Sequence, residues 1–179
     1  MWNSQVIIML LEGIRDTLYM TLASTLFGYI IGLPMGIVLT VTDKDGIRPN
    51  AAVYKVLDVI SNLLRSIPFI ILLIVLIPFT RFVVGRSYGS TATIVPLTIA
   101  AAPYIARMVE SSLKEVDAGV IEAARSMGAS DFQIVTKVML VEARTSLIVG
   151  ATISLGTILG YSAMAGTVGG GGLGDIAIR

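Results

Sequence analysis

The 179-residue chain is 55% hydrophobic and 14% charged, with a mean hydropathy of +0.86 and a net charge of +1, whereas a soluble domain carries about a quarter charged residues. It has no cysteine and no histidine, which removes thiol chemistry, disulfides, the commonest metal ligands and the usual general base at neutral pH. The near-neutral balance gives no electrostatic reason to expect a nucleic-acid partner.

The first sixteen residues hold Glu12, Arg15 and Asp16 and lack a basic start, so they do not read as a cleaved signal peptide. Trp2, Val6, Ile7, Met9 and Leu10 are expected to lie along the membrane interface, with Trp2 as an anchor. Beyond them the charges cluster. Asp16 and Asp43 bracket 26 uncharged residues, Arg65 and Arg81 bracket 15, Arg86 and Arg107 bracket 20, and Arg144 and Asp175 bracket 30. A bilayer core of ~30 Å takes about 20 mostly apolar helical residues. The pattern predicts an all-α, polytopic membrane bundle forming one domain, with spans over 17–42, 59–80, 87–106 and 145–165 and a polar region over 107–144.

In the first span Gly28, Gly32 and Gly36 have the small-xxx-small spacing that suits close helix contact. Pro34, Pro68, Pro78, Pro96 and Pro103 lie in or at the ends of apolar runs, where each removes a backbone donor and favours a kink. Such breaks serve ordinary packing or line a path. No carboxylate or lysine lies deep within a span, which argues against a proton- or sodium-coupled carrier and for an energy source outside the membrane.

The polar region reads as helix, tight turn, helix. Asp117 is a candidate N-cap for a helix over 118–126. Gly128 stands where a left-handed cap is wanted, and Ser130 with Gln133 reads as a capping box for a second helix. Val120, Ala124 and Met127 share one face of the first helix, Glu122 and Arg125 another. Upstream, Arg107, Glu110 and Lys114 have the spacing of surface ion pairs, worth little each.

After the last span, Gly169, Gly171 and Gly174 satisfy G-x-G-x-x-G. They follow a membrane helix rather than a strand, and no helix or acidic residue is expected in the few residues left, so a dinucleotide site is rejected. A flexible loop at the outer membrane face is expected instead. Met164 is the only bulky group between Ala163 and Ala165; by residue type it is a packing residue, and at that place it would also narrow a pore. Nine basic residues (Lys44, Arg48, Lys55, Arg65, Arg107, Lys114, Arg125, Lys137, Arg144) flank one side of the spans and four (Arg15, Arg81, Arg86, Arg179) the other. The 107–144 region is therefore expected in the cytoplasm and the N-terminus outside.

Glu122-Ala123-Ala124, then Gly128, Val138 and Leu140, resemble the EAA loop of bacterial ABC importer permeases: Glu-Ala-Ala, three residues, Gly, nine residues, Ile-x-Leu-Pro. Val138 replaces the Ile and Val141 the Pro, which predicts a softer turn after the second helix. Arg65-Ser66-Ile67-Pro68-Phe69-Ile70, Ala102 to Glu110, and Gly160-Tyr161-Ser162-Ala163-Met164 resemble the permeases of methionine ABC importers. The resemblance implies a type I importer permease fold in the bacterial inner membrane, among membrane lipid. Its implied partners are a second copy of the chain, a cytoplasmic ATPase dimer and an external substrate-binding protein. ATP and Mg are implied to bind to the ATPase, and this chain, which has no Walker sequence, to hold no cofactor and no catalytic or metal site. Glu122, Ala123, Ala124, Arg125, Gly128 and Leu140 are implied to couple to the ATPase. Met164 is implied to lie at the pore gate, with Tyr161 and Ser162 beside it. Tyr161, three residues before Met164, shares its helical face. A permease of this type is expected to continue with one more spanning helix, so the end at Arg179 reads as a truncation. The alternatives are a permease for another amino acid or small peptide, or a passive channel-like or scaffold membrane protein; no catalytic constellation favours a membrane-embedded enzyme.

Overall fold

The computed structural model describes residues 4–178 and is built of helices, with no strand among the described residues. In chain order they are α1 (Ser4–Thr42), α2 (Ala51–Ser66), α3 (Phe69–Val75), α4 (Ile77–Val84), α5 (Ser90–Lys114), α6 (Ala118–Ser126) and α7 (Asp131–Gln133). A π-helical stretch (Ile134–Met139), α8 (Leu140–Glu142), α9 (Arg144–Ala165), a 3-10 turn (Gly166–Val168) and α10 (Gly172–Ile176) follow. Among the described residues three helices are long and apolar enough to cross a membrane: α1, α5, and α9 with the turn after it. A fourth crossing requires α2 and α3 to count as one broken span.

The expected span boundaries shift for identifiable reasons. The 17–42 span is the later part of α1, and Val6, Ile7, Met9 and Leu10 belong to the same helix rather than to a separate surface segment. Trp2 lies outside the described residues. The 59–80 run is not one helix. The chain leaves the helical state at Ile67, where the proline that follows disfavours the α region, and resumes at Phe69. Pro78 sits in the first turn of α4, where a missing N–H costs nothing. Pro34, Pro96 and Pro103 lie inside helices that continue past them. The third crossing starts later than expected, after Gly89 at φ +86°, and runs on to Lys114, while the fourth begins at Arg144.

Two compact groupings divide the residues. One comprises Tyr29–Leu64 and Ala102–Ile153. In it the glycine stripe of α1 meets α5. A Cβ added at Gly32 would stand 2.7 Å from the Ala102 carbonyl oxygen, and one at Gly36 2.6 Å from that of Ala106 and 2.7 Å from Val109 Cβ. Apolar lipid removes the hydrophobic drive between helices, so such close van der Waals approach is what holds them. Below this seam Leu113, Ala124, Ile134, Val135, Met139 and Ala143 are buried.

The other grouping comprises Met1–Gly28, Arg65–Ala101 and Ser154–Arg179. Its core includes Met20, Phe69, Leu72, Leu97, Ile158 and Ala165. The glycine-rich stretch belongs to it, and here the expectation of a flexible loop fails. Gly169, Gly171 and Gly172 take φ of +81°, +79° and +76°, values open to glycine at no steric cost. The chain thereby folds back on α1 and the start of α5. The Leu173 amide donates to the Thr17 hydroxyl at 2.9 Å, and the Gly89 amide to the Gly169 carbonyl at 2.9 Å. A Cβ at Gly172 would stand 2.7 Å from Thr17 Oγ1. A short helix, α10, does follow, and it carries the acidic Asp175.

Candidate functional site

The polar region between α5 and α9 is built by local chemistry. Asp117 is extended (φ −60°, ψ 129°), and its Oδ1 accepts the Gly119 amide at 2.7 Å, capping α6. At the other end the Ala129 amide donates to the Ala124 carbonyl (3.1 Å) and the Gly128 amide to that of Arg125 (3.0 Å). These two bonds make a Schellman cap around Gly128 at φ +83°. Two residues on, the Gln133 amide donates to Ser130 Oγ (3.3 Å) and the Ser130 amide to Gln133 Oε1 (2.9 Å), a capping box. The second helix then departs from expectation. After one turn it widens into the π-helical stretch, with Ile134, Val135 and Met139 buried. With Val141 in place of a proline, the chain passes through Ala143 into α9 with helical bonds on both sides, Ala143 to Met139 and Leu147 to Ala143, each 2.9 Å.

Of the six candidate coupling residues, Ala124 is turned inward and buried, Leu140 is half-buried, and Glu122, Ala123, Arg125 and Gly128 are exposed. Val120 and Met127, on the face assigned also to Ala124, are exposed. Met127 is 81% exposed and Phe132 across the turn 76%. The α6–α7 turn therefore displays large apolar side chains among charged ones. Arg125 donates to the Ile47 carbonyl at 2.9 Å, fastening α6 to the segment after α1. Asp43, Ile47, Lys114, Ile121, Glu122 and Arg125 border a cavity of about 440 Å³.

The Arg107, Glu110 and Lys114 triplet is not a set of surface pairs. Glu110 is buried, its side chain 5% exposed, and it accepts from Arg107 (2.7 Å), Lys114 (2.8 Å) and the Tyr54 hydroxyl (3.2 Å). Arg107 also pairs with Asp58 and donates to Asn62, and Lys114 pairs with Asp43 at 2.7 Å. The hydrogen bond from Lys114 holds the Asp43 carboxyl below its ordinary pKa, more than offsetting the opposing effect of burial. The i, i+3 and i, i+4 signal was visible on α5. The groups from α2 and from the chain just past α1 that convert it into a buried network were not.

Met164 is 46% exposed. Tyr161 is stacked on Phe69, ring centroids 4.7 Å apart and planes within 5°. Two of the stretches singled out in the sequence, one around Pro68 and one around Tyr161, thus meet through their rings. The Ser162 hydroxyl is buried and donates to the Leu159 carbonyl at 2.8 Å, inside its own helix. Among the described residues no cluster of acidic side chains has the makings of a metal site.

An all-helical membrane chain that projects a capped helical hairpin between two spans has the build of a transporter's inner membrane component. Residues 12–179 match the family described as "Binding-protein-dependent transport system inner membrane component", and the chain belongs to that family. It is 55% identical over 158 residues to the D-methionine transport system permease protein MetI of Escherichia coli K12, covering 88% of this chain and 73% of that one. It is 48% identical over 171 residues to a probable D-methionine permease of Vibrio cholerae, covering 96% and 76%. A solved structure of the inward-facing MetNI methionine ABC transporter superposes with a TM-score of 0.96 at 53% identity, covering 98% of this chain and 82% of that one. An amino acid ABC transporter at 22% identity and a TM-score of 0.78 shares the fold.

Proposed function

We propose that this chain is the membrane-spanning permease subunit of an ATP-driven importer and forms the path for methionine, as the D- or L-isomer, across the bacterial inner membrane. The observation that carries the reading is the α6–α7 turn. Its ends are fastened by side-chain and backbone caps, and its tip exposes Met127 and Phe132. Rigid backbone with unpartnered apolar side chains suits a surface meant to be covered by another protein. The partner is an ATPase dimer on the cytoplasmic side, which binds ATP and Mg. The nine-to-four distribution of basic residues supports that orientation, with the N-terminus outside.

Two copies pack about a two-fold axis, and an external binding protein delivers substrate. Closure of the ATPase pushes on α6. Glu122, Ala123, Arg125 and Gly128 lie at the contact, while Ala124 and Leu140 hold the hairpin to the body beneath. Met164 of each copy narrows the path, a flexible thioether being suited to an adaptable seal, and the stacked Tyr161 fixes the helix that bears it. Methionine as substrate rests on the likeness to the methionine permeases. The test is affinity purification of the tagged full chain from membranes, with a photoreactive group at position 123. Crosslinking to an ATP-binding protein is expected; a chain that purifies and crosslinks only to itself contradicts the reading.

A further inference from the structure

A charged side chain removed from water is tolerated only when it is paired and fully hydrogen-bonded. Glu110 meets that condition with groups drawn from α2 and α5, and its two cations reach further. Lys114 extends the network to Asp43, one residue past α1, and Arg107 extends it to Asp58 and Asn62 on α2. Lys114 is the last residue of α5, and only Glu115, Val116 and Asp117 separate it from α6. Arg125 of α6 in turn holds the carbonyl of Ile47, in the segment that begins at Asp43. A displacement of α6 thus meets one junction to α5 through the chain and one to the α1–α2 segment through Arg125, and Glu110 lies where the two are tied together.

We infer that Glu110 is a positioning residue for energy coupling: its ion network locks the ends of α1, α2 and α5 into one body, so that motion of α6 moves all three helices instead of flexing the α5–α6 junction. This rests on the permease reading above. A network kept only for stability would change the amount of folded protein. One that transmits motion changes how much substrate moves per ATP in the protein that remains folded. Asp43 and Asp58 stand on different elements and are linked through Lys114, Glu110 and Arg107, so their effects on transmission should not add.

The experiment uses the full permease–ATPase complex in lipid vesicles, with uptake and ATP hydrolysis measured on the same preparation. Asp43→Asn and Asp58→Asn are each expected to lower methionine moved per ATP by about fivefold, at the low end of typical coupling between sites. The double variant should fall no further than the worse single, and Asp43→Glu, which keeps the charge, should retain the ratio. Tyr54→Phe deletes one hydroxyl and should give a smaller drop even if the charge variants fold poorly. Hydrogen exchange supplies a readout independent of the substrate. ATP should alter protection over residues 51–66 in the wild type, while in Glu110→Gln the change should stop at 107–126. Unchanged ratios, losses that multiply in the double variant, or exchange changes identical in wild type and Glu110→Gln overturn the inference. A wild-type complex that takes up no methionine with ATP would sink the substrate reading, and the exchange comparison would still decide the role of Glu110.

Discussion

Replacing Gly128 with valine separates backbone strain from crowding, because a Cβ at that position meets nothing within 4 Å. The cost comes from φ of +83°. A residue with a side chain pays ~1–2 kcal/mol in the left-handed region, and a β-branched one pays more. That lowers the population of the closed cap by about 5–30-fold, yet is small against the ~5–15 kcal/mol that holds a typical folded domain. The bonds at risk are the two that close α6, from Gly128 to Arg125 and from Ala129 to Ala124. Gly128→Val should therefore insert and fold, lose exchange protection at residues 128 and 129, and move several-fold less substrate per ATP. Gly128→Asn, which tolerates the left-handed region, should keep most of the coupling. Wild-type coupling in the valine variant, or equal losses in the two variants, would refute the argument that cap geometry transmits the push.

In cysteine-scanning, Ser126→Cys should be labelled only from the cytoplasm and Tyr88→Cys only from outside; the native chain has no cysteine to confuse the signal, and both sites are exposed. The opposite pattern would reverse the orientation and move the docking surface to the wrong side. Met164→Ala should raise passive leak of small solutes in vesicles while assembly with the ATPase persists. Loss of folded protein with unchanged leak per remaining transporter would make Met164 a packing residue. Asp43, whose carboxyl is held below its usual range by Lys114, contributes stability that is complete above the unfolded carboxylate pKa of ~4 and is lost as pH falls through the lower folded value. The thermal-stability gap between wild type and Asp43→Asn in detergent should thus be constant near neutrality and close in acid; a gap that closes between neutral and alkaline pH contradicts the pairing.

What the sequence disclosed and what it hid divide along a physical line. The caps at Asp117, Gly128 and Ser130–Gln133 were legible because each depends on one residue type beside its own backbone. That apolar helices stand at α1, α5 and α9 was legible from the long uncharged runs, but the full lengths of α1 and α5 were not, since both helices continue past those runs into charged residues. The break before Pro68 was half legible, since a proline within an apolar run is also compatible with a helix that continues, as around Pro34. The burial of Glu110 was hidden because Tyr54 stands 56 residues away on α2, and because Asp58 and Asp43, which engage Arg107 and Lys114, come from other segments of the chain. The ordered glycine segment was hidden for a related reason. Glycines that allow a loop to flex also allow it to pack tightly, and it is distant residues, Thr17 on α1 and Gly89 before α5, that show which occurs. The π-helical winding after Gln133 has no residue signature, since it reflects how Ile134, Val135 and Met139 reach the core.

The central claim, that this chain conducts methionine under the power of a partner's ATP, is tested most directly by uptake. Vesicles would hold the full permease, its ATPase and the external binding protein, with labelled D- or L-methionine outside and ATP on the ATPase side. The account predicts accumulation that requires hydrolysable ATP and is competed by unlabelled methionine but not by a charged amino acid. Equilibration without ATP would mark a passive path, and ATP-dependent accumulation of another amino acid in preference to methionine would contradict the substrate.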